Sequence, residues 1–214
     1  MGYQTILFDM DGTLLDTLGD LHASVNAVLR AQGFPERSIG EVRSFVGNGA
    51  ERLIRCAVPE GTDEADIAAT LRLYQDYYAA HCQILTRAYD GILPLLETLC
   101  AAGKHLAVVS NKPDRATKAL AKLYFGEGLL AVGEHEGVRR KPWRDMVDAA
   151  IGTLGASRES AVYVGDSEVD VQTARNAELP LIAVSWGFRG REALRAAGAE
   201  TIVDTAEELL ALTL

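Results

Sequence analysis

Two carboxylates stand two residues apart in Asp9-Met10-Asp11-Gly12-Thr13, directly after the apolar run Ile6-Leu7-Phe8. A second acidic cluster, Gly165-Asp166-Ser167-Glu168-Val169-Asp170, follows the buried-type run Ala161-Val162-Tyr163-Val164. Carboxylates gathered at the ends of buried segments repel one another and lose hydration. A hard divalent cation with oxygen ligands removes that cost, and Mg2+ commonly binds through one or two carboxylates with water and substrate phosphate. A carboxylate is also a competent nucleophile toward phosphorus. A second one can protonate a leaving alkoxide and then take a proton from the attacking water. The Ser110 hydroxyl, the Asn111 backbone N–H and the ammonium of Lys141, the only lysine after Lys122, suit the remaining phosphoryl oxygens. These residue types together fit in-line transfer of a phosphoryl group to a carboxylate and then to water.

The elements that must position them are legible from hydrophobic spacing. Residues 5–9 read as a short buried strand closed by a turn at Gly12. Leu18, Leu21, Val25, Val28 and Leu29 then step by three and four, predicting a helix that ends at Gly33. Ser38 with Glu41 predicts a capping box for a second helix, which Gly47-Asn48-Gly49 interrupts. A short helix follows over 50–57. Ile67, Leu71, Tyr74, Tyr78 and His81 continue the helical rhythm, with Tyr74, Tyr77 and Tyr78 expected to pack helix on helix. Beyond residue 89 the pattern alternates: helices over 91–102, 113–123, 145–154, 168–177 and 190–197, and strands over 105–110, 129–132, 161–165, 181–184 and 201–203. Thr205 and Glu208 are spaced to cap a last helix.

Apolar strands alternating with helices indicate an α/β fold with a parallel sheet covered on both faces. A stretch of about seventy nearly all-helical residues separates the first strand from the rest, too long for a plain loop. The expected organisation is a doubly wound core, 1–16 and 86–214, carrying an inserted helical domain over 17–85. Ligands of such sheets bind at the carboxyl ends of the strands. That rule selects Asp9 to Thr13, Ser110, Asn111 and Asp166 to Asp170, with Arg139, Arg140 and Lys141 ahead of helix 145–154.

Composition narrows the classes. The chain has 214 residues, 48% apolar and 24% charged, with a formal net charge of −9 and no basic block. Nucleic acids and anionic membranes need clustered Lys and Arg, so neither is an expected partner. Cys56, Cys82 and Cys100 are odd in number and widely spaced, which fits reduced thiols and a cytoplasmic setting. No apolar run approaches membrane-spanning length. A phosphate loop is missing, because Gly103-Lys104 is followed by His105. Ser110 lacks the glycine flanks of a serine hydrolase, having Val108 and Lys112 instead. A calcium loop fails because positions 13–15 are Thr-Leu-Leu.

Four segments together resemble the haloacid dehalogenase superfamily phosphatases. Phe8-Asp9-Met10-Asp11-Gly12-Thr13-Leu14-Leu15-Asp16-Thr17 is similar to the first motif of that family, and Val109-Ser110-Asn111-Lys112 to the second. Arg140-Lys141-Pro142 is similar to the third and Gly165-Asp166-Ser167-Glu168-Val169-Asp170 to the fourth, with the helical insertion in the place of a type-1 cap. The resemblance implies Asp9 as nucleophile and metal ligand, and Asp11 as general acid/base with a backbone carbonyl on the metal. It implies Asp166 as the second carboxylate on Mg2+. Asp170 would ligate directly, act through water, or orient Lys141. Ser110, Asn111 and Lys141 would hold phosphate.

Within the family, an acid at Asp11 argues for phosphate over halide. A cap without lysine excludes Schiff-base phosphonatase chemistry. His22 lies one helical step from the place where a sugar-phosphate mutase has its histidine. Val46-Gly47-Asn48-Gly49-Ala50 resembles phosphoglycolate phosphatases most, with Asn48 and Gly49 toward substrate and Arg43 or Arg52 available for a carboxylate. Sugar-phosphate phosphatases and pyrophosphatases of the family carry similar caps, and a β-phosphoglucomutase-like enzyme is a further alternative. The expected partner is a small phosphorylated metabolite, on a monomer or homodimer. Two departures from the family pattern stand out: Trp143 after Lys141-Pro142, where a smaller residue is common, and Glu178, at a loop position often held by glycine.

Overall fold

The computed structural model describes residues 2–214. It divides into two compact units, one built from the chain up to Asp16 with Ala88–Leu214, the other from Thr17–Arg87. The strands are β1 (Thr5–Phe8), β2 (Leu15–Asp16), β3 (Arg87–Ala88), β4 (His105–Pro113), β5 (Leu130–Glu134), β6 (Ala161–Gly165), β7 (Leu181–Val184) and β8 (Ile202–Val203). The helices of the insertion are α1 (Leu18–Ala31), α2 (Ile39–Phe45), α3 (Gly49–Ala57) and α4 (Glu64–His81). Those of the larger unit are α5 (Ile92–Ala101), α6 (Asp114–Phe125), α7 (Asp145–Leu154), α8 (Glu168–Asn176), α9 (Gly190–Ala197) and α10 (Ala206–Thr213).

Six strands form one parallel sheet in the order β5-β4-β1-β6-β7-β8. Side chains alternate across a sheet, yet Ile6, Leu7 and Phe8 are all fully buried. Both faces of β1 are therefore covered, as its unbroken apolar run requires. Leu7, Val109 and Tyr163 share one cluster with Met146, Val147 and Ala150 of α7. Phe8 pairs with Val108 on one side and Val164 on the other. Asp9, Val109 and Gly165, the next residues along, consequently stand at one level, just ahead of Ser110 and Asp166. The chain runs outward from β1 through β4 and β5, then returns to place β6 on the other side of β1. That reversal opens the crevice where doubly wound sheets bind ligands.

Strand β4 extends three residues past the expected end at 110, and its register against β5 shifts between Val109 and Pro113. Ser110, Asn111 and Lys112 thus lie on the irregular tip of a strand, not in a free loop. In the insertion, Ser38 and Glu41 form the predicted reciprocal cap of α2. Tyr74 and Tyr78 are buried and stack 5.5 Å apart. Tyr77, expected inside, lies on the outer side of α4 and stacks 4.0 Å from His81. Residues 74 and 78 are one turn apart on one stripe, and 77 falls beside it. The Asp20 carboxylate accepts from the Leu85 and Thr86 N–H groups, both at 2.9 Å, tying the start of the unit to its end. Among the described residues no helix is long and apolar enough to cross a membrane.

Candidate active site

Asp9 is the first residue beyond β1, and its N–H is still held by the Val164 carbonyl at 2.8 Å. The chain then turns sharply: the N–H groups of Thr13, Leu14 and Leu15 all point to the Met10 carbonyl. Gly12 has φ of +84°, a conformation that strains any residue with a Cβ. Its own missing Cβ leaves room for the Asp166 carboxylate. Gly187 does the same from another loop, where a Cβ would strike Asp166 and the Gly12 carbonyl. Asp166 fills this slot and accepts from the Phe188 N–H at 2.6 Å and, weakly, from Thr13 Oγ1 at 3.5 Å.

Oxygens of Asp9, Asp166 and Asp170 lie within 4.8 Å of one another, and all three residues are buried. Lys141 Nζ sits 2.8 Å from Asp9 Oδ1 and 2.8 Å from Asp170 Oδ1. It also donates to the Tyr163 hydroxyl at 3.1 Å, and that hydroxyl donates in turn to the Val109 carbonyl. Asp170 is met by further donors at its other oxygen, the Ser167 N–H at 3.1 Å and the Ser167 hydroxyl at 2.6 Å. Lys141 is placed by Asn111. Its N–H donates to Asn111 Oδ1 at 2.7 Å, and its carbonyl accepts from Asn111 Nδ2 at 3.0 Å. The Lys141–Pro142 peptide bond is cis.

The electrostatics are unbalanced. Burial pushes the Asp9 carboxyl up to about 7; Lys141 opposes this, while Asp170 and Asp11 add to it. Burial likewise holds Asp166 well above the usual carboxylate range, and the charges of Asp170 and Asp9 reinforce it. Burial works against the Lys141 ammonium, but the Asp170 and Asp9 carboxylates outweigh it and raise its pKa well above the ordinary lysine value. One ammonium does not neutralise three buried acids. An all-oxygen set that close, short of positive charge, fits a hard divalent cation.

The remaining expected residues fall as follows. Ser110 is buried on the β4 tip, its Oγ accepting the Lys112 N–H at 3.3 Å. The Asp11 carboxylate stands apart from the three-acid group and pairs with Lys112 Nζ at 3.1 Å. Asn48 and Gly49 belong to the helical unit, where they open α3, with Gly49 at φ +81°. Sequence reasoning assigned no role to Lys112 or Tyr163. Lys112 could have been found from its position two residues after Ser110, on the same side of an extended segment. Tyr163 carries the only polar side chain in the buried strand Ala161–Gly165, and a buried phenol needs a partner.

A family model described as haloacid dehalogenase-like hydrolase matches residues 6–184. The chain is 35% identical over 191 residues to the phosphoglycolate phosphatase of Rhodobacter capsulatus, covering 86% of this chain and 85% of that protein. It is 34% identical over 214 residues to the N-acetylmuramic acid 6-phosphate phosphatase of Pseudomonas aeruginosa, covering 98% and 94%. Among solved structures, a candidate phosphoglycolate phosphatase from Lactobacillus delbrueckii subsp. bulgaricus superposes with a TM-score of 0.94 at 38% identity, covering 100% of this chain and 99% of that one.

Proposed function

Because the chain belongs to the haloacid dehalogenase-like hydrolase family, we propose that it is a Mg2+-dependent phosphatase of small phosphate monoesters that works through an aspartyl-phosphate on Asp9. The observation that carries this reading is the buried group of Asp9, Asp166 and Asp170 with the Lys141 ammonium between two of its members. Asp9 and Asp166 with the Asp11 carbonyl would hold Mg2+, which supplies positive charge against the nucleophile and the phosphoryl oxygens. Asp170 is assigned to orientation, since Lys141 already donates to one of its oxygens and Ser167 to the other.

Asp9 attacks phosphorus, and the bond from phosphorus to the ester oxygen breaks as Asp11 gives that oxygen a proton. Water then attacks phosphorus while Asp11 takes its proton and the bond to Asp9 breaks, which restores both carboxyls. Lys141, the Ser110 hydroxyl and the Asn111 N–H bind the phosphoryl oxygens throughout. Through its backbone clamp, the Asn111 side chain serves Lys141.

The substrate class we propose is small phosphorylated metabolites, with 2-phosphoglycolate first. Relatives bearing that activity in their names and the Gly47-Asn48-Gly49 loop support it. The test is phosphate release from p-nitrophenyl phosphate with and without Mg2+, with Asp9→Asn alongside. Loss of turnover without metal and in the variant is expected; equal activity in Asp9→Asn would remove the proposed nucleophile. A panel of 2-phosphoglycolate, N-acetylmuramic acid 6-phosphate, sugar phosphates and pyrophosphate then ranks substrates by kcat/KM. A far higher value for any other member displaces 2-phosphoglycolate and leaves the reaction class standing.

A further inference from the structure

The larger unit buries a second lysine that the mechanism above does not use. The Lys112 side chain is only 2% exposed, and its ammonium lies 3.1 Å from Asp11 Oδ2, on a carboxylate 14% exposed. Removing a lysine from water is costly unless a fixed counter-charge receives it. Both ends of this contact are fixed. The Lys112 N–H donates to Ser110 Oγ at 3.3 Å, and its carbonyl accepts from Thr117 Oγ1 at 3.1 Å. Asp11 sits in the turn closed by the Gly12 N–H on the Leu15 carbonyl at 2.9 Å.

An ion pair anchored on two hydrogen-bonded backbone segments restricts the side-chain torsions of its acid. It is also screened far less than a surface pair. The two buried lysines therefore divide the site, Lys141 serving Asp9 and Asp170, Lys112 serving Asp11. We propose that Lys112 is a positioning residue that holds the Asp11 carboxyl for proton transfer to the departing ester oxygen, an inference that rests on the phosphatase reading above. In this role Lys112 acts through Asp11 and not on the phosphoryl group itself. Its contribution is felt only where the leaving oxygen needs a proton.

Leaving-group dependence separates this role from phosphate binding or support of the fold. A departing p-nitrophenolate needs no proton, whereas an alkoxide does. The kcat/KM value reports steps through the first irreversible one, here departure of the leaving group. Lys112→Met, Lys112→Arg, Asp11→Asn and the Asp11→Asn/Lys112→Met double variant are compared on p-nitrophenyl phosphate and glycerol phosphate with Mg2+. Misplacing a catalytic group by about 1 Å costs on the order of 100-fold. Lys112→Met is therefore expected to lose roughly 10- to 100-fold on glycerol phosphate and less than about 3-fold on the aryl ester.

Lys112→Arg should recover most of the loss. In the Asp11→Asn background, removing Lys112 should have little further effect, because coupled residues are non-additive. Equal losses on both esters, no loss on either, or additive losses in the double variant would overturn the positioning role while leaving the phosphatase reading intact. A wild-type protein that releases phosphate from neither ester overturns both. Should Lys112→Met fail to fold, Lys112→Gln takes its place and is judged by the same outcomes.

Discussion

Asn111→Ala separates two roles that a residue beside a phosphate site could have. The side chain makes two buried hydrogen bonds, accepting from the Lys141 N–H at 2.7 Å and donating to the Lys141 carbonyl at 3.0 Å. Truncation leaves both backbone groups without these partners in a site where Asn111 and Lys141 are each about 95% buried. Each orphaned group costs about 1–3 kcal/mol. Allowing for some relaxation, the loss of stability is about 2–4 kcal/mol. For a chain of this length that lowers Tm by roughly 5–15 °C. The segment that carries Lys141 also loosens, and its ammonium must stay 2.8 Å from Asp9 and from Asp170. A displacement near 1 Å predicts a fall in kcat/KM of about 100-fold.

Calorimetry and steady-state phosphate release on the same preparation give both numbers. Asn111→Asp keeps the shape and can still accept the N–H, but it turns an oxygen toward the Lys141 carbonyl. It should lose at least as much stability despite being isosteric. An Asn111→Ala protein with unchanged Tm and only a raised KM would refute the reasoning, since the side chain would then act on substrate and not on Lys141.

Two further outcomes follow from groups away from the site. Glu178 has φ of +56° and closes α8, its N–H on the Arg175 carbonyl and the Leu179 N–H on the Ala174 carbonyl; this arrangement favours glycine. Glu178→Gly should raise stability by about 1 kcal/mol, or roughly 2–4 °C in Tm, since the Arg144 contact it gives up is exposed. An unchanged or lower Tm would count against strain at that residue. Burial opposes ionisation of Asp148, but Arg144 and Arg158 outweigh it and hold its pKa below the ordinary value. A depressed carboxylate contributes stability above its unfolded pKa and loses that contribution as pH falls through the lower folded value. The gap in denaturation midpoint between wild type and Asp148→Asn should hold steady at neutral pH and close below about pH 4; a gap independent of pH would deny the charge a role.

Local chemistry fixed a large part of this molecule. Period and punctuation alone delimited α7, β6, β7 and α9 at residues 145–154, 161–165, 181–184 and 190–197, where the structure has them. Those elements are short, strongly patterned and closed by glycine or by a change of period, so neighbours in sequence suffice to define them. Asp9, Ser110, Asn111, Lys141, Asp166 and Asp170 were legible because each follows an apolar strand or stands in a recognisable motif. Contacts were not legible. That Asn111 grips the backbone of Lys141, that Lys112 turns to Asp11, and that Tyr163 bridges Lys141 to the Val109 carbonyl depend on strands β4, β1 and β6 lying side by side. These pairs are 22 to 101 residues apart, and only the parallel order of the sheet brings them within hydrogen-bonding reach. The sequence determines which groups exist and at which strand ends they stand. Which acid each buried lysine answers is decided by strand order and register.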